Sequence, residues 1–227
     1  MEMPSPQATL PPQGMGRLPL ILSAVVIELT LIGTAVIWGS LFMESPGASW
    51  AKLHWHWGDV ILGVSLSVPL FALFWILERW PWGPLRKVRE ISDEVLRPML
   101  RPCRWPDVLL FSALAGFCEE LLFRGAVQTT FVQAFGLWPG IFASSLLFGL
   151  AHAINFTYIV AATTIGVLLG CLFYWTDSLL VVMVTHGLYD VWAMLHLIST
   201  ASPEPAVPPV ELSPEDANSV GPDPCTN

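Results

Sequence analysis

The chain of 227 residues is 54% hydrophobic and 12% charged, with a mean hydropathy of +0.60, whereas a soluble domain carries about 25% charged residues. That balance excludes an ordinary soluble globular protein and leaves a polytopic membrane protein with no separate soluble domain of useful size. The formal charge of −8 does not signal a cationic partner, because Glu204, Glu211, Glu215, Asp216 and Asp223 all sit in a C-terminal tail without Lys or Arg, and no nucleic-acid partner is implied.

In chain order, residues 1–17 form a polar N-terminal tail rich in Pro and Gln, closed by Arg17. The apolar run from Leu18 to Met43 is too long for a signal peptide and lacks a small-residue cleavage site, so it is a retained span. With a second from Gly58 to Leu77, residues 18–77 hold two N-terminal transmembrane helices. The connection between them, "WAKLHWHWGD", reads as an interfacial aromatic belt rather than a metal site at His54 and His56.

Residues 78–106 carry seven of the ten Lys and Arg: Arg79, Arg86, Lys87, Arg89, Arg97, Arg101 and Arg104. Basic loops stay on the cytoplasmic side, so this loop and both termini are expected in the cytoplasm of a plasma membrane. Within it, Leu85, Val88, Ile91, Val95, Leu96 and Met99 recur close to helical spacing, which predicts an amphipathic helix lying on the inner leaflet. Residues 107–198 then form a four-helix core, with spans from about Asp107 to Phe131, Trp138 to Ile154, Tyr158 to Trp175 and Leu179 to Ile198. The tail 199–227 is Pro-rich and acidic, and disorder is expected there. The fold class is thus all-α, a polytopic bundle of about six transmembrane helices. Cys103, Cys118, Cys171 and Cys225 are scattered, without metal-binding spacing.

Ionisable residues inside spans are costly and mark function by default, and they concentrate in the last four spans. Glu119, Glu120 and Arg124 lie on the third, His152 on the fourth, and His186 and Asp190 on the sixth. Glu120 and Arg124 are four apart and share a helix face, so they can pair. Glu119 points elsewhere and stays available as a general base. Phe148 and His152 share a face, as do His186 and Asp190. Two imidazoles and one free carboxylate can therefore converge to activate water, or to bind a metal. Glu28 and His196, each alone in its span, read as interhelical glue. The small residues Gly116, Gly125, Ala143, Ser144, Ser145, Gly149, Gly166 and Gly170 allow close helix approach. A transporter is the competing class, but neither inverted repeats nor broken helices are visible; a non-catalytic immunity or scaffold protein is another.

The motifs Glu119-Glu120-LLF-Arg124, Phe148-GLA-His152 and His186-GLY-Asp190, in this order on separate spans, resemble the CPBP family of intramembrane proteases. That family includes the type II CAAX prenyl endopeptidases and the bacterial Abi proteins. The resemblance covers the last four spans, and Asp190 departs from the Asn of the prenyl endopeptidases. It implies an intramembrane endopeptidase in which Glu119 and His152 activate water, His186 and Asp190 hold the oxyanion, and Glu120 with Arg124 is structural. The implied partners are the lipid bilayer and a membrane-associated peptide or protein substrate, with no oligomeric state implied; the short six-span chain resembles prokaryotic members. The metal-free, glutamate-type mechanism is expected, with no cofactor. Its alternative is a zinc metalloprotease with Glu119, His152 and His186 as ligands, since a catalytic zinc takes three protein ligands.

One geometrical tension accompanies this reading. At ~1.5 Å per residue, Glu119 lies deep in its span while His152 sits near a turn at the basic end. They meet only if that turn is sunk into the membrane or the third span begins before the interface.

Overall fold

The computed structural model describes residues 16–79, 83 and 86–201. The expected disorder of the acidic tail falls outside those residues, apart from its first positions, as do the N-terminal tail before Gly16 and Leu85. Among the described residues there is no strand. Seven helical bodies follow in order. They are α1 (Arg17–Phe42), α2 (Trp57–Arg79), α3 (86–100), α4 (105–135), α5 (Leu137–Ala151), α6 (Phe156–Thr176) and α7 (Leu179–Ser199).

Hydropathy explains most of this. In α1 only Ala35 and Gly39 are buried while Leu22, Val26, Ile27, Ile37 and Leu41 point outward, as expected of a helix whose solvent is lipid. By length and apolar composition, α1, α2, α6 and α7 can each cross a bilayer. Local chemistry sets several ends. The Asp107 carboxylate accepts the Arg104 N–H at 2.8 Å, the Asn155 Oδ1 accepts the Tyr158 N–H at 3.0 Å, and the Ser178 hydroxyl accepts the Val181 N–H, each satisfying a donor that a helix start leaves open.

Two polar layers mark the ends of the bundle. At one end Arg17 clasps Asp107 through two hydrogen bonds of 2.7 Å, joining the starts of α1 and α4. There also Glu78 of α2 accepts from Arg97 of α3 at 2.6 Å and lies 2.5 Å from His196 of α7. His196 therefore does bridge helices, with a partner that its own span does not contain. At the opposite end Lys52 pairs with Asp177, the Ser178 hydroxyl donates to Asp59 at 2.7 Å, and Trp55, Trp57, Trp138 and Trp175 are exposed. Such an arrangement is that of an interfacial aromatic girdle.

The basic segment differs in part from expectation. Instead of lying free on a surface, α3 docks on the bundle. Ile91 and Leu100 are buried, and Leu100 packs with Cys103, Phe111 and Leu197. Only Val95 and Met99 of its apolar set remain exposed.

At the centre stands α4, which touches α1, α5, α6 and α7. Its contact with α7 is so close that a Cβ on Gly116 would lie 2.7 Å from the Met183 carbonyl and 2.9 Å from the Gly187 Cα. Gly136, at φ +87°, reverses the chain from α4 into α5, a conformation that favours glycine. The helix α5 has 15 residues, or ~22 Å at 1.5 Å per residue, short of a ~30 Å hydrocarbon core. The expected fourth span to Ile154 therefore stops early, and His152 at its end sits at membrane depth. Counted from the Gly136 turn, Glu119 and His152 are nearly equally far down their helices, which resolves the tension noted above.

Candidate active site

The motif region of α4 is not a regular α-helix. Wider π-helical turns run over Ala115–Glu119 and Leu121–Gln128, on either side of Glu120; such turns are rare and cluster at functional sites. Successive carboxylates consequently serve different neighbours. Glu119 faces α5, where its Oε1 lies 3.6 Å from His152 Nε2. Glu120 faces α7 and is fully buried; its Oε1 accepts from Arg124 at 2.8 Å and lies 2.8 Å from His186 Nδ1.

Arg124 is equally buried and donates a second bond to the Gly166 carbonyl at 3.0 Å, while Gln128, one turn on, donates to the Gly170 carbonyl at 2.9 Å. These two side chains latch α4 to the backbone of α6; Gly170 leaves room for Gln128, whose Oε1 a Cβ there would meet at 2.7 Å, and Gly166 leaves room for Ser145 of α5. The Phe148 ring fills the middle. Its centroid is 4.5 Å from that of His152, 6.0 Å from that of His186, and 4.7 Å from the Arg124 guanidinium. One aromatic side chain thus spaces both imidazoles and covers the cation.

Hydrogen bonding fixes which ring nitrogen carries a proton. His152 Nδ1 lies 2.9 Å from the Phe148 carbonyl; that oxygen can only accept, so Nδ1 is the donor and Nε2 is the atom turned to Glu119. By the same logic His186 Nδ1 donates to the Glu120 carboxylate and turns Nε2 toward Asp190 Oδ2, 3.5 Å away. The side chains of His152 and Asp190 are 29% and 18% exposed while Glu120 is sealed, so the site opens on the His152 and Asp190 side. Glu119 Oε2 is buried with no hydrogen-bond partner among the described residues. Such an atom is costly unless something else engages it.

Six residues singled out from the sequence, Glu119, Glu120, Arg124, His152, His186 and Asp190, thus occupy one region. Three features were not foreseen. Glu120 binds His186 as well as Arg124, so it links the ion pair to α7. Glu28 of α1 lies within electrostatic reach of Glu119, His152, His186 and Asp190, and its Oε2 is buried without a partner among the described residues. Tyr158 of α6 is similarly placed toward Glu119 and Asp190. A lone Glu in an otherwise apolar span was the available signal for Glu28; nothing distinguished Tyr158.

A zinc ion would need three of these donors around one point. Among the described residues no three His, Cys, Asp or Glu side chains are so arranged.

Residues 101–192 match the family model described as type II CAAX prenyl endopeptidase Rce1-like. That segment of the chain is similar to the Rce1-like family. It takes in α4, α5, α6 and the motif half of α7, hence all six site residues, while Glu28 lies outside it. A curated relative, the uncharacterized protein YpbD of Bacillus subtilis (strain 168), is 35% identical over 91 residues, covering 37% of this chain and 42% of that protein. The chain thus spans less than half the length of that relative. No solved structure matches.

Proposed function

We propose that this protein is an intramembrane endopeptidase that hydrolyses a peptide bond in a membrane-associated protein or peptide, using Glu119 as general base without a metal. The observation that carries this reading is the Glu119–His152 pair. Both facing atoms are acceptors, the carboxylate Oε1 and the imidazole Nε2, and at 3.6 Å they are too far apart for a direct hydrogen bond. A water molecule donating one proton to each is the species that satisfies both, and its oxygen lone pairs then face the substrate.

Glu119 takes a proton from that water as the oxygen attacks the scissile carbonyl carbon. The C–O bond forms, the carbonyl π electrons move to oxygen, and a tetrahedral oxyanion results. Collapse of that intermediate breaks the C–N bond. The proton held between Glu119 and His152 passes to the leaving amine, giving a free amine and a carboxylic acid, whose proton is then lost to solvent. His186, held by Glu120 and flanked by Asp190, presents Nε2 to the site. When that nitrogen carries a proton it donates to the oxyanion, a preorganised contact of the kind that dominates acyl-transfer catalysis. Glu120 and Arg124 position His186 and take no proton from substrate.

The match of residues 101–192 to a family model described as type II CAAX prenyl endopeptidase supports peptide-bond hydrolysis as the reaction class. Seven of the ten basic residues in one loop support a cytoplasmic location for that end of the bundle, with substrate entering from there, in a prokaryotic plasma membrane. The test is quantitative mapping of protein termini in membranes from cells carrying wild-type protein or Glu119→Gln. A membrane protein whose new terminus appears only with the wild type is expected. Identical terminus maps would remove the protease reading.

A further inference from the structure

At the end of the bundle away from the tryptophan girdle, α2, α3 and α7 enclose a cavity of about 330 Å³. Its position is remote from the chemistry, since His196 on its wall stands ten residues, ~15 Å, further along α7 than His186. The volume lies at the low end of the ~300–1,000 Å³ typical of small-ligand sites. Among the described residues, Arg79, Arg89, Arg97 and Arg101 line it together with two carboxylates, Glu78 and Asp93.

The carboxylates are already engaged. Both oxygens of Glu78 are used, one by Arg97 and one by His196. Asp93 pairs with Arg97 through one oxygen and lies 3.7 Å from Arg89 through the other. Arg79 makes no ion pair among the described residues; its guanidinium stands 6.0 Å from the Trp75 ring, which also borders the cavity. An anion entering here would therefore meet the Arg79 guanidinium beside carboxylates that are already engaged.

We propose that this cavity binds a phosphate anion, supplied by the headgroup of an acidic phospholipid. Guanidinium clusters suit phosphate oxygens through paired N–H donors. The lipid source follows from what surrounds the cavity. Trp75, which lines the cavity, is a partly exposed apolar side chain at 39%, against which an acyl chain would lie. Basic pockets between transmembrane helices at the membrane surface are suited to such headgroups. Bound there, the headgroup would bridge Arg79 of α2 to Arg89 of α3.

The test uses full-length protein in nanodiscs of phosphatidylcholine with a minority of phosphatidylglycerol, reading by native mass spectrometry which lipid stays with the released protein. Preferential retention of phosphatidylglycerol is expected, lowered about tenfold in the double variant Arg79→Gln/Arg89→Gln and largely kept in Arg79→Lys/Arg89→Lys. Added inorganic phosphate should not displace the lipid, and removal of residues 202–227 should leave retention unchanged. Equal retention of both lipids, or wild-type retention in the Gln variant, would overturn the site. Displacement by phosphate alone would make it a free-anion site and overturn the lipid assignment. Phosphatidylglycerol binding seen only after removal of 202–227 would make the acidic tail the occupant instead.

Discussion

Glu119 and Glu120 are adjacent in sequence and have opposite surroundings, which separates what their substitution does. Glu120 lies between Arg124 and His186 in a sealed interior, so Glu120→Gln leaves a buried guanidinium uncompensated. A loss of about 3–5 kcal/mol of stability is expected, read as a lower unfolding midpoint in detergent. Glu119→Gln should unfold like the wild type and yet not cleave. If Glu119 acts as base without a metal, as proposed, activity should also survive dialysis against a strong chelator; loss reversed by zinc alone would reinstate the metalloprotease. The Glu120–Arg124 contact was legible in the sequence because one helix turn dictates it. The bond to His186 was not, since register between helices is set by packing that no local spacing encodes. Glu28 was underestimated for the same reason: a solitary acid in an apolar run reads alike whether it faces a neighbouring helix or a reaction site.

Among the elements, α4 and α5 determine where the chemistry sits. The all-α class was legible from apolar runs alone, whereas of the six expected spans four described helices are long and apolar enough to cross a bilayer. The early end of α5 was not legible, because Ala153 and Ile154 continue the apolar run past His152, and hydropathy does not record where a chain leaves helical geometry. Nor do sequence patterns announce the π-helical turns around Glu120. Glycine positions test the packing directly. A Cβ on Gly149 would meet Thr163 Oγ1 at 2.1 Å and the Ile159 carbonyl at 2.7 Å, so Gly149→Ala should force α5 from α6. It should cost about 1–3 kcal/mol and displace His152, with activity falling more than the amount of folded protein. Gly33 in α1 has nothing within 4 Å of its Cβ position. Gly33→Ala should therefore be neutral or stabilising by about 0.5–1 kcal/mol in the same unfolding measurement.

For the molecule as a whole, the polar layers make a claim about orientation. The start of α1, the end of α2 and the end of α7 share one end through Arg17–Asp107 and Glu78–Arg97–His196, so reporters fused at Arg89 and after Ala201 should read the same side. The concentration of arginine predicts that side to be cytoplasmic, and a reporter at His54 to read external; opposite readings at Arg89 and Ala201 would contradict the topology. The arginine-rich loop was plain in the sequence, whereas its docking on α2 and α7 depended on Glu78, whose partners are distant in the chain. The central claim, that Glu119 activates the water that cuts the substrate, is tested most directly by one rate. The membrane substrate identified from its shifted terminus is incubated with reconstituted wild-type protein and with Glu119→Gln at equal folded amounts. The account predicts a loss of about 10²–10⁴-fold in the variant, the usual contribution of a positioned general base. Cleavage by Glu119→Gln at the wild-type rate would contradict it.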